Sequence, residues 1–413
     1  MRFLLDAEQR AFAASLDAML TAAGTPAVVR AWSAGDHRGG RALWSRVADA
    51  GVFALAVPEE DGGLGLRPVE LVVAFVELGR HAVPGPLVET VTAAALLTAP
   101  GEGRELLPAL AAGTTMTTLA PPPTALHPTP DTAPPPTTSH PTPHTAPPPT
   151  GDTDAPDHPS HPPAQPPDRT PAPGRSRPPR NADDSPAPPA PHPTPDTPPP
   201  PDGDTDAPLH PPHPPDNAPA PLALDGDAAD LLLHVDARGD LRRAVGHGRV
   251  RGSLDPARRL TPLLPGGALL AQGPLPEGAL ALARLTTAAQ ALGVGLALLE
   301  RTVAHVRRRT QFGVPVGSFQ AVKHRLADAR IALDLAHPLL LGAALTGDPF
   351  DVAAAKAGAC EAAYTTARAA LQLHGAIGYT AEYDLSLWLT KAVALRTAWG
   401  TPGECRAAVL RER

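Results

Sequence analysis

The stretch RRRTQFGVPVGSFQAVKHRLAD, Arg307 to Asp328, joins two helix-like runs through a link that no helix accommodates. Upstream of it, EGALALARLTTAAQALGVGLALLERTVAHVRRRTQ (Glu277 to Gln311) is nearly continuous in helix-forming and apolar residues. The pattern predicts a helix that stops at Phe312-Gly313, crosses a Pro-containing link and resumes at Ser318, a capping-type residue. Further helices are predicted in SFQAVKHRLADARIALDLA, DVAAAKAGACEAAYTTARAALQLHG and YDLSLWLTKAVALRTA. Several long helices in succession predict a bundle over residues 276–413. Arg309, at the end of the first helix, has two readings. It is either a guanidinium that pairs with a phosphate or a surface residue favoured by the helix dipole.

Outward from the bundle, residues 222–275 change character. ADLLLHVD, LRRAV and GRVRGSLD are short apolar runs separated by Gly and Asp, which predicts a small β domain. Residues 1–120 read as helical. Leu4, Leu5, Phe12, Leu16 and Leu20 recur at helical spacing, and PVELVVAFVELG restarts a helix at Pro68 and stops it at Gly79. Between them VPEEDGGLGL is a loop, and ELLPALAAGTTMTTLA predicts a short helix and then a strand entering the next domain. Residues 121–221 hold 40 of the 56 prolines and no Phe, Trp or Tyr. That segment repeats itself: HPTPDTAPPPT at His127 recurs as HPTPHTAPPPT at His140. Too little apolar surface is present to offset ordering the backbone, so a disordered, polyproline-rich coil is expected. Eight of the sixteen histidines lie there, but without a helix or a Cys to fix geometry no metal site is expected.

Composition excludes several classes. Net charge is −7, and the basic residues are scattered apart from Arg307 to Arg309, which argues against nucleic-acid binding. Two cysteines, Cys360 and Cys405, make neither a disulfide framework nor a metal site and fit a reduced compartment. No run approaches the roughly 20 apolar residues of a spanning helix, and MRFLLDAEQR lacks the apolar core of a signal peptide. A cytoplasmic location is expected.

The Arg309-x-x-Phe312-Gly313 … Phe319-Gln320 pattern resembles the helical hairpin of the acyl-CoA dehydrogenase family. VPEEDGGLGL resembles that family's N-terminal loop and LQLHGAIGYTAEYDL its flavin-contacting segment, in the same order over roughly residues 1–120 and 222–410. The resemblance implies a mostly α fold with a small β domain: an N-terminal helical domain, a β middle domain and a C-terminal four-helix bundle. It implies FAD, an acyl-CoA substrate oxidised at its α,β carbons, an electron acceptor protein, and assembly as a homo- or hetero-oligomer. Arg309, Gln311, Phe312 and Gln320 fall at flavin-binding positions, Gln372 and Gly375 where the family touches FAD from the neighbouring subunit, and Thr401 at a further flavin contact. Arg284 and Gly400 match residues that support the substrate site.

Two departures stand out. The family's reaction needs a carboxylate to remove the proton α to the thioester, usually a Glu directly before a Gly-Thr turn. In LRTAWGTPGEC that position holds Trp399, and Ala283 holds the alternative one beside Arg284, so no catalytic residue is assigned. Glu404 lies five residues beyond Trp399 and is not expected to substitute. The middle domain is also truncated, because after TTMTTLA the proline repeat replaces the loop that lines the flavin ring. Three readings follow: a dehydrogenase-like subunit whose partner brings the Glu, a non-catalytic structural or acyl-binding paralogue, or a flavin-dependent monooxygenase of the same fold.

Overall fold

The computed structural model describes residues 4–120, 220–273 and 277–411. The proline repeat expected over 121–221 therefore lies outside the described residues but for its last two. The chain begins with α1 (Ala7–Ala22), opened by a reciprocal cap between Asp6 and Gln9, then α2 (Thr25–Ser33) and α3 (Arg38–Asp49). VPEEDGGLGL makes a loop with one short 3-10 helix at Glu59–Asp61, and α4 (Pro68–Arg80), α5 (Leu87–Leu97) and the short α6 (Leu107–Ala111) complete the N-terminal part. Leu16 and Leu20 are buried as their spacing predicts, whereas Leu4 is exposed.

Strand β1 (Thr117–Ala120) follows and lies parallel to β3 (Leu231–Val235), Thr117 opposite Leu231. A parallel pair needs a long crossover, and here residues 121–219 and strand β2 (Leu222–Leu224) connect the two. β4 (Leu241–Arg243) and β7 (Leu269–Ala271) extend the first sheet, in the order β1-β3-β4-β7. A second sheet has the order β2-β6-β5, with β5 at Gly246–His247 and β6 at Leu260–Leu264. One expectation is corrected here. GRVRGSLD makes no strand, only an isolated bridge from Arg251 to Leu260. The pairing strands come instead from LTPLLPGGALLA, where two prolines and two glycines mask the alternation.

The C-terminal half is a bundle of α7 (Glu277–Arg308), α8 (Gln320–Thr346), α9 (Pro349–His374) and α10 (Leu385–Thr397), closed by α11 (Pro402–Leu410). Ala355, Ala359, Ala363 and Ala367 recur every fourth residue on α9 and are buried, so this face packs closely. α4 crosses α7 at still shorter range. A Cβ on Gly79 would lie 2.1 Å from the Gln290 carbonyl oxygen, and one on Gly293 would lie 1.9 Å from that of Val76. Only glycine lets the N-terminal helices seat on the bundle in this way.

The hairpin that opened the sequence reading differs in three details. α7 ends at Arg308, four residues early, because Thr310–Gln311 (β8) pairs with Val314–Pro315 (β9) around a turn with positive φ at Phe312 and Gly313. α8 starts at Gln320 with Phe319 at its cap, so Ser318 does not cap it. The Ser318 hydroxyl donates to the Pro315 carbonyl instead, at 2.6 Å. The estimate of apolar run length is also corrected. α7 and α8 are each long and apolar enough to cross a membrane by length and composition, but 89% of the apolar window of α7 is buried inside the fold. Interspersed Arg, Thr and Gln hid that length from a reading of unbroken runs.

Candidate functional site at the two ends of α7

The residues singled out in the sequence gather into two groups. The first lies at the C-terminal end of α7. Arg309 donates from Nη1 to the His374 carbonyl at 3.0 Å, which ties the hairpin to the end of α9, where Gly375 turns with a φ of 66°. Helix α9 can end there because its last carbonyls find donors in the Gly375 amide and in Arg309. Phe312 is 92% exposed, and Gln311, Gln320 and Gln372 are exposed beside it in the sequence elements that meet here. A cleft of about 560 Å³ between α8 and α9 is lined by Gln372, Arg325, Arg368 and Tyr379, with one carboxylate, Asp328, among its lining residues. Guanidinium groups, amides and an exposed ring make a donor set that suits a pyrophosphate and an aromatic base. The residues present therefore fit the phosphate end of a dinucleotide such as FAD.

Sequence reasoning missed what lies beneath this group. His305 of α7 and His374 of α9 stack with ring centroids 4.1 Å apart. His374 is fully buried with Nδ1 2.8 Å from the Ala370 carbonyl, so Nδ1 carries the proton. Burial, with the neighbouring His374 and Arg309, holds His305 below the usual imidazole range, and burial holds His374 low as well. Two neutral rings make an uncharged floor under Arg309. Nothing in the periodicity marks them, since α7 and α9 carry other polar residues along their length and spacing does not show which of these is buried.

The second group surrounds the turn after α10. Trp399 has a φ of 57° and Gly400 one of 127°. A left-handed tryptophan costs roughly 1–2 kcal/mol, so surrounding contacts must hold it. They come from three helices. Arg284 of α7 donates from Nε to the Trp399 carbonyl at 3.3 Å, and a Cβ on Gly400 would lie 3.3 Å from the same Nε. Lys356 of α9 is buried with no carboxylate partner among the described residues and donates from Nζ to the carbonyls of Leu395 (3.1 Å) and Gly400 (3.2 Å). Its charge is matched by the carbonyl end of α10. Thr401 caps α11, and Glu404 closes the reciprocal box, its Oε2 2.6 Å from the Thr401 amide nitrogen. Glu404 is thus spent on the cap. Ala283 is fully buried inside α7.

A carboxylate is nonetheless present, from an unexpected element. Glu89 in the first turn of α5 is 3% exposed, and its Oε1 accepts from the Trp399 indole at 3.3 Å. Arg258, from the loop before β6, approaches the same oxygen at 3.9 Å, while Oε2 is buried with no partner among the described residues. Lys391 of α10 and Asp255 pair at 3.3 Å in full burial and fix that loop on the bundle. A charged letter inside PLVETVTAAALL was the one available signal, and its partner lies 310 positions away.

Comparison with known proteins agrees with this architecture. Residues 6–114 match the acyl-CoA dehydrogenase N-terminal domain and residues 274–412 the acyl-CoA dehydrogenase C-terminal domain. The chain is 25% identical to acyl-CoA dehydrogenase IpdE2 of Mycobacterium tuberculosis over 89% of its own length and 85% of that protein's. It is 31% identical to acyl-CoA dehydrogenase IpdE2 of Mycolicibacterium smegmatis, over 44% of its own length and 58% of that relative's. Among solved structures, the ChsE4–ChsE5 complex from M. tuberculosis gives a TM-score of 0.68 at 20% identity, covering all of this chain and 98% of that one. Butyryl-CoA dehydrogenase from Megasphaera elsdenii gives 0.67 at 17% identity, covering 100% and 99%. These last two show the fold. The cofactor of this fold family is FAD, in keeping with the donor set at Arg309. With both terminal domains matched and the helical hairpin, β sheets and bundle in the corresponding order, the chain belongs to the acyl-CoA dehydrogenase family.

Proposed function

We propose that the chain is an acyl-CoA dehydrogenase-like flavoprotein subunit, and that an acyl-CoA thioester is oxidised at its α,β carbons in an oligomer whose partner chain carries the catalytic Glu. The observation that carries this reading is the separation of the two groups. Arg284 and Arg309 stand at opposite ends of α7, about 37 Å apart at ~1.5 Å per residue. One chain cannot fold both onto one flavin, so Arg309, Gln372 and Gly375 of one chain serve a flavin whose other end meets the Trp399–Thr401 turn of its neighbour. An apolar stripe on α8, Ile331, Leu335 and Leu339, each more than half exposed, supports assembly. A complex among the fold neighbours, ChsE4–ChsE5, supports a mixed oligomer.

FAD, when bound, would supply the acceptor for the hydride that leaves the β carbon and the redox link to an acceptor protein. This chain's contribution is to bind and position. Arg309, Gln311, Phe312, Gln320, Gln372 and Gly375 hold the dinucleotide from outside the fold of its main subunit. Arg284 and Lys356 fix the turn at Trp399 and Gly400 so that Thr401 faces the flavin. Neither Trp399 nor Ala283 offers a basic lone pair, and the Glu89 carboxylate is engaged by the Trp399 indole, so removal of the α proton falls to the partner. A positioned general base contributes ~10²–10⁴-fold, which sets the scale of the dependence. The test is acyl-CoA-dependent bleaching of the flavin band, for the chain alone and co-expressed with a Glu-bearing homologue. Strong bleaching by the mixed oligomer and weak bleaching alone is expected. Equal, strong bleaching by the chain alone would refute the partner requirement. A preparation without flavin would favour the second reading, a non-catalytic acyl-binding paralogue, which the half-buried indole at the turn also suits.

A further inference from the structure

We propose that Glu89 and Trp399 form a plug that closes the acyl end of this chain's own half-site, Glu89 being the positioning residue that holds the indole in place. The inference rests on the reading above, in which the side chain preceding Gly400 faces the α carbon of a bound thioester. That side chain is an indole, with several times the volume of a carboxylate. It packs against the buried core while its Nε1 donates to Glu89.

The energetics require a reason for a carboxylate at residue 89. Glu89 is the only charged residue of α5, where Leu87, Val88, Val91, Ala93 and Ala94 are buried along with the neutral Thr90 and Thr92. A Leu or Ala would fit that face, whereas a carboxylate that is 3% exposed loses its water. Arg258 at 3.9 Å returns only part of the loss, since the pair is beyond hydrogen-bond range and Oε2 has no partner among the described residues. What Glu89 does achieve is geometric. It gives the indole N–H its acceptor, and with Arg284 on the Trp399 carbonyl it clamps this residue at both ends. The clamp holds Trp399 in the left-handed conformation that points its ring toward α5. α5, α7, the loop before β6 and the turn before α11 thus converge on Trp399 and its acceptor Glu89, from all three parts of the fold. The site is shut by construction rather than merely lacking its base.

The test uses the purified full chain with whatever flavin it retains. In protein labelled with 5-fluorotryptophan, the Trp399 resonance is assigned through Trp399→Phe. Glu89→Leu removes the acceptor and should shift that resonance alone among the four, whereas Glu89→Gln keeps an acceptor and should leave it nearly unmoved. Binding of butyryl-CoA and of free CoA is then measured by calorimetry. The parent should bind the two about equally, since its acyl space is filled. Trp399→Ala should bind butyryl-CoA tighter by roughly tenfold or more, with CoA affinity unchanged. Circular dichroism confirms that each variant is folded. A Trp399 resonance indifferent to Glu89→Leu would overturn the clamp and the proposal with it. A parent that already prefers butyryl-CoA tenfold, or a folded Trp399→Ala that binds CoA with no acyl gain, would overturn the plug alone. Failure of every variant to bind CoA would instead sink the acyl-CoA reading on which the plug rests.

Discussion

Replacing Arg309 by Ala should weaken FAD binding about tenfold while leaving the fold intact. Arg309 is half-buried, and among the described residues its side chain makes one hydrogen bond, to the His374 carbonyl at 3.0 Å. The rest of the guanidinium faces outward beside Gly375, whose added Cβ would lie 3.5 Å from its Nη1. A hydrogen bond to a charged group is worth about 1.5–3 kcal/mol, and partial exposure favours the lower part of that range. About 1.4 kcal/mol corresponds to a factor of ten in Kd. Loss of the His374 bond also frees the turn, so Arg309→Gln is the control. Its amide can donate to the same carbonyl but brings no charge to a phosphate. The assay is titration of apoprotein with FAD, followed by quenching of flavin fluorescence, with thermal midpoints recorded alongside. If charge on the pyrophosphate is the cause, Ala and Gln variants lose affinity alike and melt within ~2 °C of the parent. FAD binding restored by Gln would show that Arg309 only supports the turn. Binding unchanged in both would show that the hairpin does not face the cofactor at all.

Deleting residues 121–219 and joining Ala120 to residue 220 by a short Gly-Ser linker should leave helical circular dichroism and the thermal midpoint nearly unchanged, because every element described above is built without them. A collapse of either would show that the repeat supplies packing. Gly293→Ala places a methyl 1.9 Å from the Val76 carbonyl oxygen and should cost about 1–3 kcal/mol, read as a lower midpoint; an unchanged midpoint would mean that α4 shifts freely on α7. Asp225 is fully buried, and burial pushes its carboxyl up to about 7, against the opposing bond from the Arg259 amide. It keeps a proton that the unfolded chain releases near about pH 4, so its contribution to stability is full below that pH and is lost as pH rises toward about 7. Asp225→Asn cannot ionise and should therefore melt with less change between pH 5 and pH 8 than the parent. Identical pH profiles for the two proteins would refute this.

Much of the molecule was legible in the linear order of residues. Helices declare themselves locally, since each turn of α7, α9 and α10 is decided by neighbours three and four positions away, and the bundle followed from their succession. The hairpin at Arg309 was legible because a Gly and a Pro within four residues must end a helix, although pairing between β8 and β9 moved the boundary to Arg308. The absence of a carboxylate at Trp399 and Ala283 is likewise a fact of sequence alone. Tertiary structure decided the rest. The strands of the second sheet pair across prolines and glycines, so their register exists only once β2 and β6 meet. Lys356 and His374 are two of several polar residues spaced along α9, and only packing shows that one holds the Gly400 turn and that the carbonyl of the other accepts from Arg309. Glu89 is the clearest case. Its place in PLVETVTAAALL is that of an ordinary helical acid, and the contact that gives it a role reaches Trp399, 310 residues on. A sequence pattern reports forces between near neighbours. The desolvation of one carboxylate against one distant indole depends on the whole fold, and only the fold reveals it.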